Sequence, residues 1–174
     1  RQSIRKNEGR KRVNATEQYI ETLIHLKSGE LGLLRTHAGQ ELDKSVEGFD
    51  LFAGLWWPLR QKNERAPRRE VAWLIAKLYA AYPSPHSPGD TLARQLGRFR
   101  PKEDRDSERF RQKFDELLAT PLYAIETALY RALDHIHSQG MKLDWVRLTD
   151  DLSIWEREST RLTWAEQFLD ATRS

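Results

Sequence analysis

The five histidines are the first candidates for catalysis or metal binding, and their spacing argues against both. His135 and His137 are two positions apart in a stretch of helical periodicity, so their side chains would point about 200° apart. His25 and His37 are isolated, and His86 lies in a proline-rich loop. The sequence also lacks the phosphate-binding G-x-x-x-x-G-K-[ST], H-E-x-x-H and G-x-S-x-G motifs. We therefore predict no catalytic residue, no metal site and no cofactor.

Two acidic pairs resemble the carboxylates that hold metal ions in a nuclease: Asp104 with Asp106, and Asp150 with Asp151. Arginines surround the first pair and would compete with a metal ion for its carboxylates. The second pair borders a hydrophobic run, where an outward-facing turn of helix is the favoured interpretation. A metal-dependent nuclease therefore stays a distant alternative.

A short segment near the middle of the chain, LARQLGRFRPKEDRDSERFRQKF, concentrates basic residues at helical spacing. It contains eight basic and four acidic residues. Arg94 and Arg98 share a side of one predicted helix, and Arg105, Arg109 and Lys113 share a side of the next. Like charges at this i,i+4 spacing cost about 0.2–0.5 kcal/mol per pair in an isolated helix. Because the cost recurs, we interpret the segment as functional rather than as a salt-bridged, solvated surface.

Six of these eight basic residues are arginines, whose guanidinium groups match phosphate geometry bidentately. The sequence shows no helix-turn-helix, zinc-finger or RNP signature, so nothing indicates that bases are read. The segment therefore predicts binding to the nucleic-acid backbone.

Charge is distributed unevenly along the 174 residues, although the net charge is only +3. Residues 1–113 contain 23 of the 29 basic residues and 15 of the 26 acidic ones. The remaining segment contains 6 basic and 11 acidic residues. A basic half joined to an acidic half suggests two kinds of partner, one of them a polyanion.

Cysteine is absent, which excludes disulfides and thiolate metal sites and fits a reducing compartment. No apolar run approaches the ~18 residues of a membrane span, and the basic N-terminus is not followed by the apolar core of a signal peptide. We therefore expect a cytoplasmic location and no membrane partner.

Helical periodicity runs through nearly the whole chain, and strand signals are scarce. The sequence predicts an all-α fold, a compact bundle of about eight to nine helices with short connections. A basic tail at residues 1–13 precedes a single domain at residues 14–174. This domain has a possible division into two packed lobes, 14–100 and 101–174.

Local signals predict where several helices begin and end. Asn14 is typical of an N-cap, and Gly29 is expected to end the helix that follows. Pro58 is expected to end an aromatic helix. Ser87 followed by Pro88 is predicted to start the short helix that carries the first two arginines.

The six tryptophans divide into core positions and one exposed candidate. Trp56 and Trp57 are adjacent, so they cannot both face one core, and one of them could stack on a base or meet a protein partner. The other four are predicted to lie in the core: Trp73, Trp145, Trp155 and Trp164.

The C-terminal run LDWVRLTDDLSIWERESTRLTWAEQFL, at residues 143–169, has a distinctive frame of Leu-Asp-Trp followed by spaced leucines and tryptophans. Three pieces precede it: TLARQLGRF, SERFRQKFDELLA and AIETALYRALDHIHSQG. In this order the four pieces resemble the CasB family, the small subunit of the type I-E CRISPR Cascade surveillance complex.

The resemblance implies an all-α, non-enzymatic subunit that stabilises the R-loop between guide RNA and target DNA and binds the displaced DNA strand. It also implies contacts with the backbone and large subunits of Cascade and with a second copy of the chain, packed head to tail. The nucleic-acid-binding positions that it carries over are Arg35, Arg68, Arg94, Arg98, Arg109, Arg111 and Arg131.

Two alternatives remain open at this point. A stand-alone helical nucleic-acid-binding protein would bind duplexes as well as single strands and need no partners. A protein-only assembly scaffold would turn its basic face toward acidic protein and bind nucleic acid poorly.

Overall fold

The computed structural model describes residues 14–173, in which nine α-helices and two 3₁₀ helices form and no β-strand does. The predicted basic tail lies outside the described residues. The all-α prediction is confirmed, whereas the division into two lobes stays a prediction. The α-helices are α1 (Ala15–Ile24), α2 (Ser28–Arg35), α3 (Val46–Lys62), α4 (Arg69–Ala81), α5 (Leu92–Arg98), α6 (Asp104–Ala119), α7 (Glu126–His137), α8 (Trp145–Ser153) and α9 (Glu158–Thr172).

Short polar side chains cap several helix N-termini by accepting hydrogen bonds from free backbone N–H groups. The predicted cap at Asn14 is confirmed, since its Oδ1 accepts from the N–H of Glu17 at 2.7 Å. The predicted start at Ser87 and Pro88 is wrong, because Thr91 caps α5 instead and its hydroxyl accepts from the N–H of Arg94.

Two other predicted helix ends are wrong. Gly29 lies within α2, and α1 ends earlier, at Ile24. The carboxylate of Glu30 accepts a hydrogen bond from the N–H of Lys27 at 3.0 Å, which stabilises the start of α2. Pro58 lies inside α3 rather than at its end; the residue is exposed, so the backbone group that loses its partner can be hydrated.

Helix α4 is the centre of the core, and every residue from Val71 to Ala80 is buried. Helices α2, α3, α7 and α8 pack around it. The core positions of four tryptophans are confirmed: Trp73, Trp145, Trp155 and Trp164 are all buried. Trp56 is half-buried and Trp57 is exposed, as their adjacency required.

The Leu-Asp-Trp motif joins the proline-rich loop to α8. Leu143 is buried, and its carbonyl accepts a hydrogen bond from the N–H of Ser87. Asp144 caps α8 through one carboxylate oxygen and accepts from the N–H of Gly89 through the other, both at 2.9 Å. The indole of Trp145 donates to the hydroxyl of Ser84. The burial and hydrogen bonds of these three residues therefore give the Leu-Asp-Trp motif a structural role.

The helices that carry the basic segment are attached mainly to α9. Helix α5 packs so closely along α9 that a side-chain Cβ at Gly97 would overlap the carbonyl oxygen of Phe168. Helix α6 is held by Phe114, whose ring stacks on that of Phe168 with 4.1 Å between centroids. Both helices therefore keep one side free for solvent or a partner.

Candidate nucleic-acid interface

Helix α5 presents two arginines on its solvent side. Leu92 and Leu96 are buried, whereas Arg94 and Arg98 are exposed, as their spacing predicted. The guanidinium of Arg94 donates to the carbonyl of Gly89 at 3.1 Å, and it forms no ion pair within residues 14–173. This helix therefore offers two exposed cations.

Helix α6 is mostly exposed, with only Phe114 and Leu117 buried. Arg109 and Lys113 are four residues apart and so lie on one flank of the helix. Arg111, two residues after Arg109, points roughly 200° away from it and lies on the other flank. The basic residues of α6 are thus divided between two sides.

A groove of about 550 Å³ separates α6 from α7, and we call it the α6–α7 groove. Lys113 lies in its α6 wall and Arg131 in its α7 wall. Lys113 is paired with Glu116 at 3.3 Å, whereas Arg131 is exposed and has no ion pair among residues 14–173. The floor is apolar and includes Leu96, Phe110 and Phe114. The structure therefore brings Arg131 opposite the Arg109 flank of α6.

The remaining two predicted arginines lie elsewhere. Arg35 is on α2, which packs against α3 and α4, and its Nε donates to the carbonyl of Leu31 at 3.4 Å. Arg68 precedes α4 and pairs with Glu156, with 3.2 Å between Nη2 and Oε1. The Arg68 charge is therefore partly compensated, which makes it a weaker phosphate ligand than the unpaired arginines.

The sequence-based set of site residues left out Lys113 and Arg105, although both belong to the stripe that includes Arg109. The signal was their i,i+4 spacing, which the structure preserves because α6 is continuous from Asp104 to Ala119. Their addition makes the Arg109 flank the more basic side of α6.

Comparison with known proteins identifies the family. The model of the family described as CRISPR-associated protein Cse2 matches residues 30–169, which are 140 of the 174 residues. The chain belongs to the Cse2 family. Proteins of this family, also named CasB, are subunits of the CRISPR Cascade complex. A search of curated proteins returned no match.

Solved structures of this family share the fold. CasB from M. ruber is similar with a TM-score of 0.73 and 20% identity, over 92% of this chain and 96% of that one. A Cse2 family protein from Thermus thermophilus gives 0.65 and 23%, over 89% and 97%. CasB from Thermobifida fusca gives 0.66 and 16%, over 92% and 96%. At these identities the likeness supports the fold and not individual residue roles.

The acidic pair at Asp150 and Asp151 has a structural role in this Cse2 family member. The prediction that the pair faces outward is wrong for Asp151, which is buried and accepts from the indole N–H of Trp164 at 2.7 Å. Asp150 accepts from the hydroxyl of Thr16 at 2.7 Å. Burial raises the pKa of both carboxyls above the usual range for aspartate. These carboxylates connect helices.

The described residues also contain no cluster of three or more His, Cys, Asp or Glu side chains that could hold a metal ion. His135 packs against Phe110, and its Nε2 lies 2.8 Å from the carbonyl oxygen of Phe99. That contact secures the loop between α5 and α6. Between residues 14 and 173, no helix combines the length and apolar character that crossing a membrane requires.

Proposed function

We propose that this Cse2 family member is a non-catalytic small subunit of a type I-E CRISPR Cascade complex. In this proposal its exposed arginines bind the nucleic-acid backbone and stabilise the R-loop of guide RNA, target DNA and displaced strand. The protein acts in the cytoplasm, together with the backbone and large subunits and a second copy of itself. The acidic C-terminal half suits contacts with protein, including the basic half of the neighbouring copy.

The observation that carries the proposal is the set of uncompensated arginines on α5 and α6. Arg98, Arg109 and Arg111 are exposed and form no ion pair within residues 14–173. A surface built for stability would place acids beside these guanidinium groups, and phosphates can take that place. In RNA-guided recognition base pairing reads the sequence, so the protein needs shape and charge rather than base contacts.

The test is a titration of the purified chain with single-stranded DNA, single-stranded RNA and duplex DNA across a salt series. For single strands, log K should fall with log salt at a slope of about −0.7 per phosphate contact. We expect the wild-type chain to show several contacts. Most of these phosphate contacts should be lost when four arginines are replaced by alanine: Arg94, Arg98, Arg109 and Arg111.

A matched control variant should leave the salt slope nearly unchanged. It replaces four exposed cations on other surfaces by alanine: Lys27, Lys62, Arg65 and Arg157. Equal, weak binding by wild type and both variants would favour the protein-only scaffold. Tight binding of duplex DNA by the isolated chain would favour a stand-alone nucleic-acid-binding protein.

A further inference from the structure

Helix α3 carries a row of apolar side chains that the described part of the chain leaves partly or largely exposed. Val46, Phe49 and Trp57 are 77%, 45% and 52% exposed, respectively. Together with Ala53 they recur at intervals of three, four and four residues, so they lie on one side of the helix, which we call the outer face of α3. The row is about 16 Å long at 1.5 Å per residue. Scattered apolar residues are ordinary on a surface, whereas an aligned row marks an interaction site.

Side chains on the inner side of α3 pack against the core, which fixes the rotation of the helix. Phe52 is buried and stacks on Trp56, whose indole donates to the carbonyl of Pro67 at 2.6 Å. Gly48 lies directly against the ring of buried His37, and a Cβ at that glycine would come within 2.7 Å of the ring. The outer face therefore cannot turn inward, and only another molecule or a segment outside residues 14–173 can cover it.

The charge around one end of this face indicates what kind of partner fits. The segment 41–50, which contains Val46 and Phe49, carries four exposed acidic residues against one lysine. None of the four forms an ion pair within residues 14–173. A nucleic-acid backbone would be repelled there, whereas a basic protein segment would be attracted. The four acids are Glu41, Asp43, Glu47 and Asp50.

The outer face of α3 borders a groove that both apolar and charged side chains line. Phe49 lines this groove, which has a volume of about 1060 Å³ and lies between the segment before α3, the start of α4 and the turn after α6. Tyr123, which is 92% exposed, also lines this groove. A partner seated on the outer face of α3 can therefore extend an aromatic or aliphatic side chain toward Tyr123.

We infer that the outer face of α3 docks a segment of another protein subunit, one that presents apolar residues flanked by lysine or arginine over the acidic 41–50 segment. The inference rests on the proposed function, because it takes the partner from the assembled complex. It assigns protein contact to α3 and leaves phosphate contact to α5 and α6. A Cse2 family member with these two surfaces would connect protein subunits to nucleic acid.

The experiment places the photo-crosslinking amino acid p-benzoylphenylalanine at position 57 and assembles the chain with the other subunits encoded at its CRISPR locus. Irradiation of the purified complex, followed by mass spectrometry, identifies the contacting segment. We expect a crosslink to a different subunit, at a site with lysine or arginine nearby. A crosslink to nucleic acid, to a second copy or to the chain's own tail would overturn the inference.

Variants measure the contribution of the face to assembly. Phe49→Ser with Trp57→Ser should reduce the affinity of the chain for the remaining complex by about tenfold or more, because exposed aromatic anchors dominate such contacts. Glu47→Lys with Asp50→Lys should also weaken assembly, and more strongly at low salt than at high salt. The matched control, Leu162→Ser with Leu169→Ser, removes exposed apolar residues from α9.

The outcomes separate the inference from the proposed function. If the wild-type chain does not join the complex, the proposed function fails and the inference fails with it. If the wild-type chain joins, and both α3 variants join as tightly as the α9 control, only the inference is overturned. Circular dichroism verifies that the variants remain helical, and the charge-reversal pair provides the test if the serine pair does not fold.

Discussion

The indole of Trp164 donates a hydrogen bond to the buried carboxylate of Asp151, with 2.7 Å between Nε1 and Oδ2. The other carboxylate oxygen accepts from Nε of Arg147 at 3.0 Å. This pair joins α8 to α9 inside the tryptophan-rich part of the core, where Trp164 also packs edge-on against Trp155. Asp151 thus satisfies a buried donor that would otherwise have no partner.

Asp151→Ala should destabilise the protein by about 1–3 kcal/mol, because it leaves the indole N–H of Trp164 buried without an acceptor. Asp151→Asn should cost less, since its amide oxygen can still accept that hydrogen bond. Urea unfolding followed by tryptophan fluorescence measures both. If alanine and asparagine were equally tolerated, the hydrogen bond would contribute nothing measurable.

The same aspartate should make stability depend on pH. Burial raises the pKa of Asp151 in the folded protein. The stability that Asp151 contributes is therefore fully present below its unfolded pKa of about 3.9. It decreases as the pH rises through the pKa of the folded protein. The unfolding free energy of wild type relative to Asp151→Asn should fall between acidic and neutral pH. Asp115→Asn, on the exposed side of α6, is the control.

Much of the fold could be predicted because its signals are local. Helical periodicity gave the all-α class, and Asn14 marked a helix start through a hydrogen bond to a residue only three positions away. The tryptophans of the core could also be recognised from spacing. The prediction that Pro58 ends its helix was wrong, because the sequence does not show that the side of α3 carrying this proline faces solvent.

Contacts between distant residues could not be predicted. The sequence gives no sign that Arg68 meets Glu156, which is 88 positions away, and this pairing weakens Arg68 as a phosphate ligand. The sequence predicted an outward-facing Asp151, because no neighbouring residue shows that the indole N–H of Trp164 donates to its carboxylate. For the arginine surface, spacing placed Arg109 and Lys113 on one side of a helix, but only packing places Arg131 across the groove.

Lys77 and Glu126 should contribute unequally to stability. The buried ammonium of Lys77 lies 2.5 Å from Oε1 of Glu126, 2.9 Å from the carbonyl oxygen of Gln40 and 5.2 Å from the ring centroid of Trp73. Burial lowers the pKa of Lys77, so its charge depends on Glu126. Glu126→Gln should cost about 3 kcal/mol, because it leaves a buried charge uncompensated.

Lys77→Met should cost less, because Glu126 is partly exposed and still accepts from the N–H of Gly39. In a double-mutant cycle, the Lys77→Met background should remove most of the cost of Glu126→Gln. Thermal and urea unfolding of the four proteins measures the cycle. Additive costs would contradict the dependence of the lysine charge on its partner.

Gly97→Ala should destabilise the attachment of α5 to α9. A Cβ at this position would overlap the carbonyl oxygen of Phe168 and lie 2.9 Å from Cβ of Ala171. Such overpacking costs about 1–3 kcal/mol, whereas alanine in an unobstructed helix gains about 0.8–1 kcal/mol over glycine. Gly54→Ala is the control, because nothing lies within 4 Å of a Cβ there. We expect opposite signs for the two variants in urea unfolding, and a stabilising Gly97→Ala would show that the helices separate easily.

The position of Arg131 predicts which flank of α6 a single strand follows. Arg131 and Lys113 face the α6–α7 groove, Arg109 shares the flank of Lys113, and Arg111 lies on the opposite flank. A strand that runs along this groove lies closer to Arg109 and Arg131 than to Arg111. Arg109→Ala and Arg131→Ala should each reduce the salt slope for single-stranded DNA by about 0.7, the equivalent of one phosphate contact. Arg111→Ala, which removes the same charge from the same helix, should change it less. Equal effects at Arg109 and Arg111 would indicate that the strand crosses α6 rather than following the groove.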